Sequence, residues 1–282
     1  MMDIIPILTT SSGGALTAKN WQEVGVHQVS CYLESLLIKP GLAYLKIVPE
    51  WKTYIGWEGD WVLNASMSLF SADGRYQFRS PFDGMRFSCS MTDIVDVILY
   101  LKPQCVLLPL GFYVEQNDVW QALSAITKIF VPDLDRNRYQ NEWVYGIYYV
   151  CEGKQDVSHV IDYHQTTYSS LPAYLCCRSS FLLFDERLRE KILQGSFFLE
   201  SDQPASDACS GLVYSERGMI DLREKIYAMQ FECIDPICQC PTCSQKLTRA
   251  YLHHLLEHTP LLCQRFLIQH NFKHLREIDF SI

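Results

Sequence analysis

Cys238-Gln239-Cys240-Pro241-Thr242-Cys243 sets three thiols at C-x-C-x2-C spacing, and His270 follows one helical hairpin later. Thiolate sulfur and imidazole nitrogen are ligands that Zn²⁺ favours, four of them in a tetrahedron. Three thiolates from one tight loop leave one vertex open. Cys263, Phe266, Leu267 and His270 fall at i, i+3, i+4 and i+7, so His270 shares the inward, apolar face of its helix and can fill that vertex. A lone histidine on such a face is ordinarily a hydrogen-bonded core residue; the clustered cysteines reverse that preference. Four protein ligands close a site, so the expected Zn²⁺ is structural and fastens two helices to the rest of the chain.

The other cysteines read differently. The chain has 282 residues and twelve cysteines, and Cys31, Cys89, Cys105, Cys151, Cys176 and Cys177 lie in apolar runs, where a thiol acts as a small buried hydrophobe. The N-terminus, Met1-Met2-Asp3-Ile4-Ile5-Pro6, lacks the basic start and apolar run of a signal peptide. Reduced core thiols in a cytoplasmic protein are the expectation. With 48% apolar and 20% charged residues the chain is globular, and no stretch approaches the roughly 18 apolar residues of a membrane span. A net charge of −8 disfavours nucleic acid as a partner.

The elements that must position these residues alternate. Strand-like runs are Ile4–Leu8, Gln28–Tyr32, Val62–Met67, Cys105–Leu110, Val144–Val150, Ala173–Cys177, Phe181–Phe184 and Phe197–Glu200. Helical patterns fall at Thr17–Val24, Thr92–Leu101, Val119–Phe130, Val157–Tyr168 and Glu186–Leu193. Such a series predicts parallel strands with crossover helices, a TIM-type (β/α) barrel over residues 1–210. Asp73-Gly74-Arg75 predicts an inserted hairpin. Between Ala173–Cys177 and Phe181–Phe184 the spacing is too short for a crossover, so the barrel is expected to be shortened and locally broken there. Residues 211–282 read as a zinc-binding subdomain: a hairpin, a helix from Asp221 to Met229, the cysteine loop and two helices.

The cysteine loop, followed by Thr248-Arg249-Ala250-Tyr251-Leu252-His253-His254-Leu255 and His270-Asn271, resembles the C-terminal zinc subdomain of the tRNA-guanine transglycosylase family. Fainter similarity covers most of the chain, with Lys39-Pro40-Gly41 similar to an early R-P-G turn and Phe78–Gly84 similar to an F-x-S-x-x-D-G hairpin. The resemblance implies a barrel that exchanges a guanine in tRNA for a deazaguanine, with an aspartate nucleophile on the ribose carbon and a second aspartate for proton transfer. Here Glu200 stands at the nucleophile's position and Asn64 at the second aspartate's, and Tyr149 stands where a base-binding glutamine is expected. Pro109-Leu110-Gly111 and Cys176-Cys177 replace further base-recognition residues. Asp202 and Asp207 lie near the nucleophile's position, where a loop shift would let either substitute for it, and otherwise read as ordinary loop acids.

These replacements predict a pseudoenzyme, with no catalytic residues and no cofactor beyond structural Zn²⁺. The expected role is an adaptor or structural subunit that binds other protein subunits through the zinc-subdomain helices. The resemblance implies two contexts: a non-catalytic paralogue paired with a catalytic chain, and a small subunit of a type IV secretion coupling complex. The alternatives are an accessory or active subunit of a tRNA-guanine transglycosylase, with Glu200 as nucleophile, and a non-catalytic tRNA-binding module. For the latter, Lys246, Arg249, Arg265, Lys273 and Arg276 make the C-terminal region locally basic. Trp51, Trp57, Trp61 and Tyr54 fit either a binding surface or core packing at the barrel rim.

Overall fold

The computed structural model describes residues 4–68, 70–71, 73–177 and 185–277. In chain order the strands are β1 (Ile4–Ile5), β2 (Gln28–Tyr32), β3 (Asp60–Asn64), β4 (Arg75–Arg79), β5 (Arg86–Ser90), β6 (Cys105–Leu107) and β7 (Lys128–Pro132). There follow β8 (Gly146–Cys151), β9 (Ala173–Cys177), β10 (Phe197–Glu200), β11 (Leu212–Ser215) and β12 (Gly218–Asp221). Eight of them make one parallel sheet in the order β1-β10-β9-β8-β7-β6-β3-β2. The two edges meet at an isolated Ile7–Ser30 bridge, where the Leu8 N–H donates to the Ser30 carbonyl and the Ser30 N–H to the Pro6 carbonyl, each at 2.8 Å. The result is a nearly closed TIM-type barrel.

The weak point of the barrel is therefore this seam. After β9, where a break was expected, β10 pairs in register from Phe197 opposite Ala173 to Glu200 opposite Cys176, and the helix Glu186–Gln194 makes the crossover. The expected strand at 181–184 lies outside the described residues. The eighth strand is β7, which the apolar spacing from Val119 onward folds into a helix. That helix ends at Ile126, because Thr127 is extended (φ −144°, ψ 148°), and Ile129-Phe130-Val131 then pairs into the sheet as β-branched and aromatic residues favour.

Alternation along the strands sorts the core into two layers. Val62, Cys105, Leu107, Phe130, Tyr148, Tyr174 and Cys176 fill the barrel interior, whereas Leu63, Val106, Ile129, Ile147, Leu175 and Leu199 pack outward under the helices. Trp51, Trp57 and Trp61 belong to the outer core, with only Tyr54 of that group exposed, so the aromatic density is packing. The predicted Asp73-Gly74 turn is present and makes a single Phe70–Tyr76 bridge; the longer hairpin pairs β4 with β5.

At the C-terminal end, Asp221 does not cap a helix but ion-pairs with Arg223 at 2.7 Å, and only a short 3-10 turn, Lys225–Met229, follows. The helices Arg249–His258 and Pro260–Glu277 come next. The second is fastened to the barrel side by Asn271. Its side chain accepts from the Tyr214 N–H at 3.0 Å and donates to the Pro204 and Leu212 carbonyls at 3.1 and 3.0 Å.

Candidate active site and metal centre

Cys238, Cys240, Cys243 and His270 converge as their spacing predicts, their ligand atoms all within 4.8 Å of one another. His270 Nδ1 lies 3.8, 3.5 and 3.4 Å from the three sulfurs in chain order. The far ring nitrogen, Nε2, lies 2.7 Å from the Tyr214 carbonyl, the contact that places the proton there and leaves the Nδ1 lone pair toward the sulfurs. Hydrogen bonds from the Cys238 and Cys243 thiols, with backbone N–H groups beside them, hold the Cys240 thiol far below its ordinary range, at about 3. Thr242 fixes the loop by donating to the Phe266 carbonyl at 2.6 Å. A Cys3His cluster of this kind, buried except at the half-buried Cys238, can hold a metal ion.

The second constellation sits at the C-terminal end of the barrel strands, the face on which (β/α) barrels carry their chemistry. Glu200, the last residue of β10, is 1% exposed and points into the barrel. The Asn64 amide at the end of β3 donates to its Oε1 at 2.8 Å and its Oε2 at 3.1 Å, and the Tyr174 hydroxyl donates to Oε2 at 2.9 Å. Burial raises the Glu200 carboxyl above its usual range, and these donors pull in the opposite direction by favouring the anion. Asn64 is itself held, its Oδ1 accepting from the Ser66 N–H at 2.9 Å.

A cavity of about 210 Å³ opens beside Glu200, lined also by Thr10, Tyr32, Cys176 and Asp202. Asp202 accepts from the Thr10 hydroxyl at 2.8 Å. Burial, with the Glu200 charge adding to it against the Thr10 hydrogen bond, pushes the Asp202 carboxyl up to about 7. Two carboxyls thus share one cavity at the barrel mouth. Asp202 was read as a loop acid; its position two residues past a strand-end carboxylate was the available signal. Asp207 is spent on structure, accepting from the Tyr214 hydroxyl at 2.6 Å and the Gln203 amide at 2.7 Å.

Asn64 and Glu200 therefore meet, and Tyr149 does not join them. Its side chain lies on the outward face of β8, with its hydroxyl 3.0 Å from His164 Nδ1. The inward neighbour is Tyr148, whose hydroxyl donates to the Leu108 carbonyl at 2.8 Å. Gly111 donates its N–H to the buried Asp135 carboxylate at a positive φ of 83°.

The fold thus joins a TIM-type barrel bearing strand-end carboxylates to a helical unit bearing a Cys3His cluster. Residues 144–279, from β8 to the end of the last helix, match the family model for queuine tRNA-ribosyltransferase. It is 37% identical over 83 residues to a queuine tRNA-ribosyltransferase of Chlamydia felis, covering 29% of this chain and 22% of that protein. It is 34% identical over 82 residues to one of Clostridium acetobutylicum, again covering 29% and 22%. A third, of Francisella tularensis subsp. mediasiatica, is 28% identical over 135 residues, 47% of this chain and 35% of the relative. The chain thus spans about a fifth to about a third of the length of these relatives.

These names correct one expectation. The matched relatives are named for an enzyme, which overturns the pseudoenzyme assignment. That assignment counted replaced motif residues one at a time. Asp202, which lies near the nucleophile's position in the sequence, brings a second carboxyl into the same cavity as Glu200. Among the described residues no helix is long and apolar enough to cross a membrane.

Proposed function

We propose that the chain serves base exchange in tRNA, as an active or accessory subunit of a tRNA-guanine-type transglycosylase. The observation that carries this reading is the pairing of Glu200 and Asp202 in one cavity at the C-terminal mouth of the barrel. Exchange at a glycosidic bond needs a carboxylate nucleophile and a proton-transfer group. In this reading the Glu200 carboxylate attacks the ribose anomeric carbon, and the carbon–nitrogen bond breaks with its electron pair passing to the departing base. Asp202, in its acid form, supplies the proton that base takes up. In the second half the carboxylate of Asp202 removes a proton from the incoming base, whose ring nitrogen displaces Glu200. Asn64 and Tyr174 hold Glu200 and stabilise its charge. This proposal departs from the inference drawn from net charge alone, since local surfaces rather than the total decide contact with RNA.

The Cys3His cluster fits Zn²⁺. Bond lengths of roughly 2.3 Å to sulfur and 2.0 Å to nitrogen in a tetrahedron set sulfur–nitrogen separations near 3.5 Å. The separations in the cluster, 3.4 to 3.8 Å, bracket that value. With four protein ligands the ion would be structural, joining the cysteine loop to the last helix and, through Tyr214, to β11.

Incorporation of radiolabelled guanine into tRNA tests the reaction, with Glu200→Gln beside the native chain. The reading expects exchange that falls to background in the variant. Exchange by the chain alone that is indifferent to Glu200 would overturn the active reading, and no gain in exchange on mixing with a catalytic family member would overturn the accessory one.

An accessory role through a protein partner has its own support. Tyr251, Leu261 and Leu262 on the two C-terminal helices are 47%, 79% and 44% exposed, an apolar surface left over after Leu252 and Leu255 are packed inside.

A further inference from the structure

The outward face of the β4–β5 hairpin carries Arg75, Gln77 and Arg79 on one strand and Arg86 and Ser88 on the other, all exposed. Arg79 and Arg86 are cross-strand partners in register, so two guanidinium groups stand directly opposite each other. Like charges in that relation destabilise a hairpin. Among the described residues no carboxylate lies within ion-pair distance of either. The nearby acids have local roles: Asp73 receives the Ser71 hydroxyl, and Asp83 caps the turn by accepting from the Met85 N–H at 3.0 Å. At the tip Phe82 is 81% exposed, with the Lys39 ammonium 6.0 Å from its ring centre. The opposite face is ordinary core, Tyr76 and Cys89 being buried there.

The hairpin is fixed to the barrel mouth. The Tyr76 hydroxyl donates to Glu34, just past the end of β2, and lies 3.2 Å from the carbonyl of Ala65, just past the end of β3. The basic face therefore borders the same end of the barrel as Glu200.

We infer that this face docks the sugar–phosphate backbone of an RNA strand, with phosphates seated between Arg79 and Arg86 and a base stacked on Phe82. The inference rests on the proposed function for its class of partner. The charge pattern supports it independently: two unpaired, opposed guanidinium groups beside an exposed ring match a backbone phosphate and a base face. The C-terminal helices offer less. Of their four arginines and lysines, Arg249 donates to the Gln230 side chain and the Ile234 carbonyl, Lys273 pairs with Glu277 at 2.8 Å, and Arg276 is buried.

The test is binding of a fluorescein-labelled RNA stem-loop by anisotropy across a salt series. Arg79→Gln with Arg86→Gln should weaken binding about tenfold and lower the slope of log affinity against log salt by about 1.5, the loss expected for two phosphate contacts. Arg79→Lys with Arg86→Lys should keep the slope, which separates lost charge from a misfolded hairpin. Phe82→Ser should weaken binding about tenfold with the slope unchanged. Native-like affinity and slope in the double Gln variant would overturn the inference, as would no RNA binding by the native chain or equal competition by polyglutamate. If RNA binds through the arginines but guanine exchange is absent, the proposed reaction fails and the docking face stands. If exchange occurs while the double Gln variant binds RNA normally, the docking face alone fails.

Discussion

The Asn64 side chain donates to both carboxylate oxygens of Glu200, at 2.8 and 3.1 Å, inside the barrel and out of contact with solvent. A carboxylate buried this deeply needs such donors. Asn64→Asp would replace a donor by a second acid, and like carboxyls in contact cannot both ionise cheaply. The variant should lose about 1–3 kcal/mol of stability in urea unfolding. The loss should be larger at about pH 8 than at about pH 5, because a shared proton relieves the repulsion at the lower pH. An unchanged midpoint at both values would show that the pair carries no such load.

Asp202 gives stability a pH dependence of definite sign. Its carboxyl is held at about 7 in the fold, against roughly 3.9 for an unperturbed aspartate, so the folded state retains a proton that the unfolded chain releases. The stabilisation is present below about pH 4 and is lost as pH rises toward 7. Asp202→Asn should flatten that decline in a pH series of thermal melts. In the exchange assay the same variant should lose about 10²-fold or more in rate and the ionisation limb near neutral pH.

Metal removal should unfold the C-terminal helices first. Purified protein is expected to hold one Zn²⁺, and Cys240→Ser or a strong chelator should release it and expose the subdomain to protease before the barrel opens. Elemental analysis of fresh protein, with limited proteolysis, checks both points.

The partner surface can be probed without touching the core. Leu256 is partly buried and packs against the core near Gly211, so a charge there would disturb folding as well as docking. Leu261, 79% exposed, is the better position. Leu261→Glu should change stability by no more than about 0.5 kcal/mol and leave the metal bound. It should abolish co-purification of any partner from the native host, read by mass spectrometry of the captured complex.

By itself the sequence determined whatever rests on local spacing. The C-x-C-x2-C loop and the helical phase of His270 specify a four-ligand cluster, because loop spacing and the helical repeat fix which side chains share a face. The run of β and α patterns likewise determined a parallel barrel, since parallel strands need crossovers. Tertiary structure decided what depends on partners far along the chain. Pairing with β6 and β8 made Lys128–Pro132 a strand, although its apolar spacing continues that of the preceding helix. The phase of β8 turned Tyr149 outward and Tyr148 inward, and a phase of one residue is invisible when both positions are tyrosine. Asp202 acquired its high carboxyl and its cavity from burial beside Glu200 and Thr10, the latter 192 positions away. Such an environment is a property of three-dimensional packing, and no residue carries it alone.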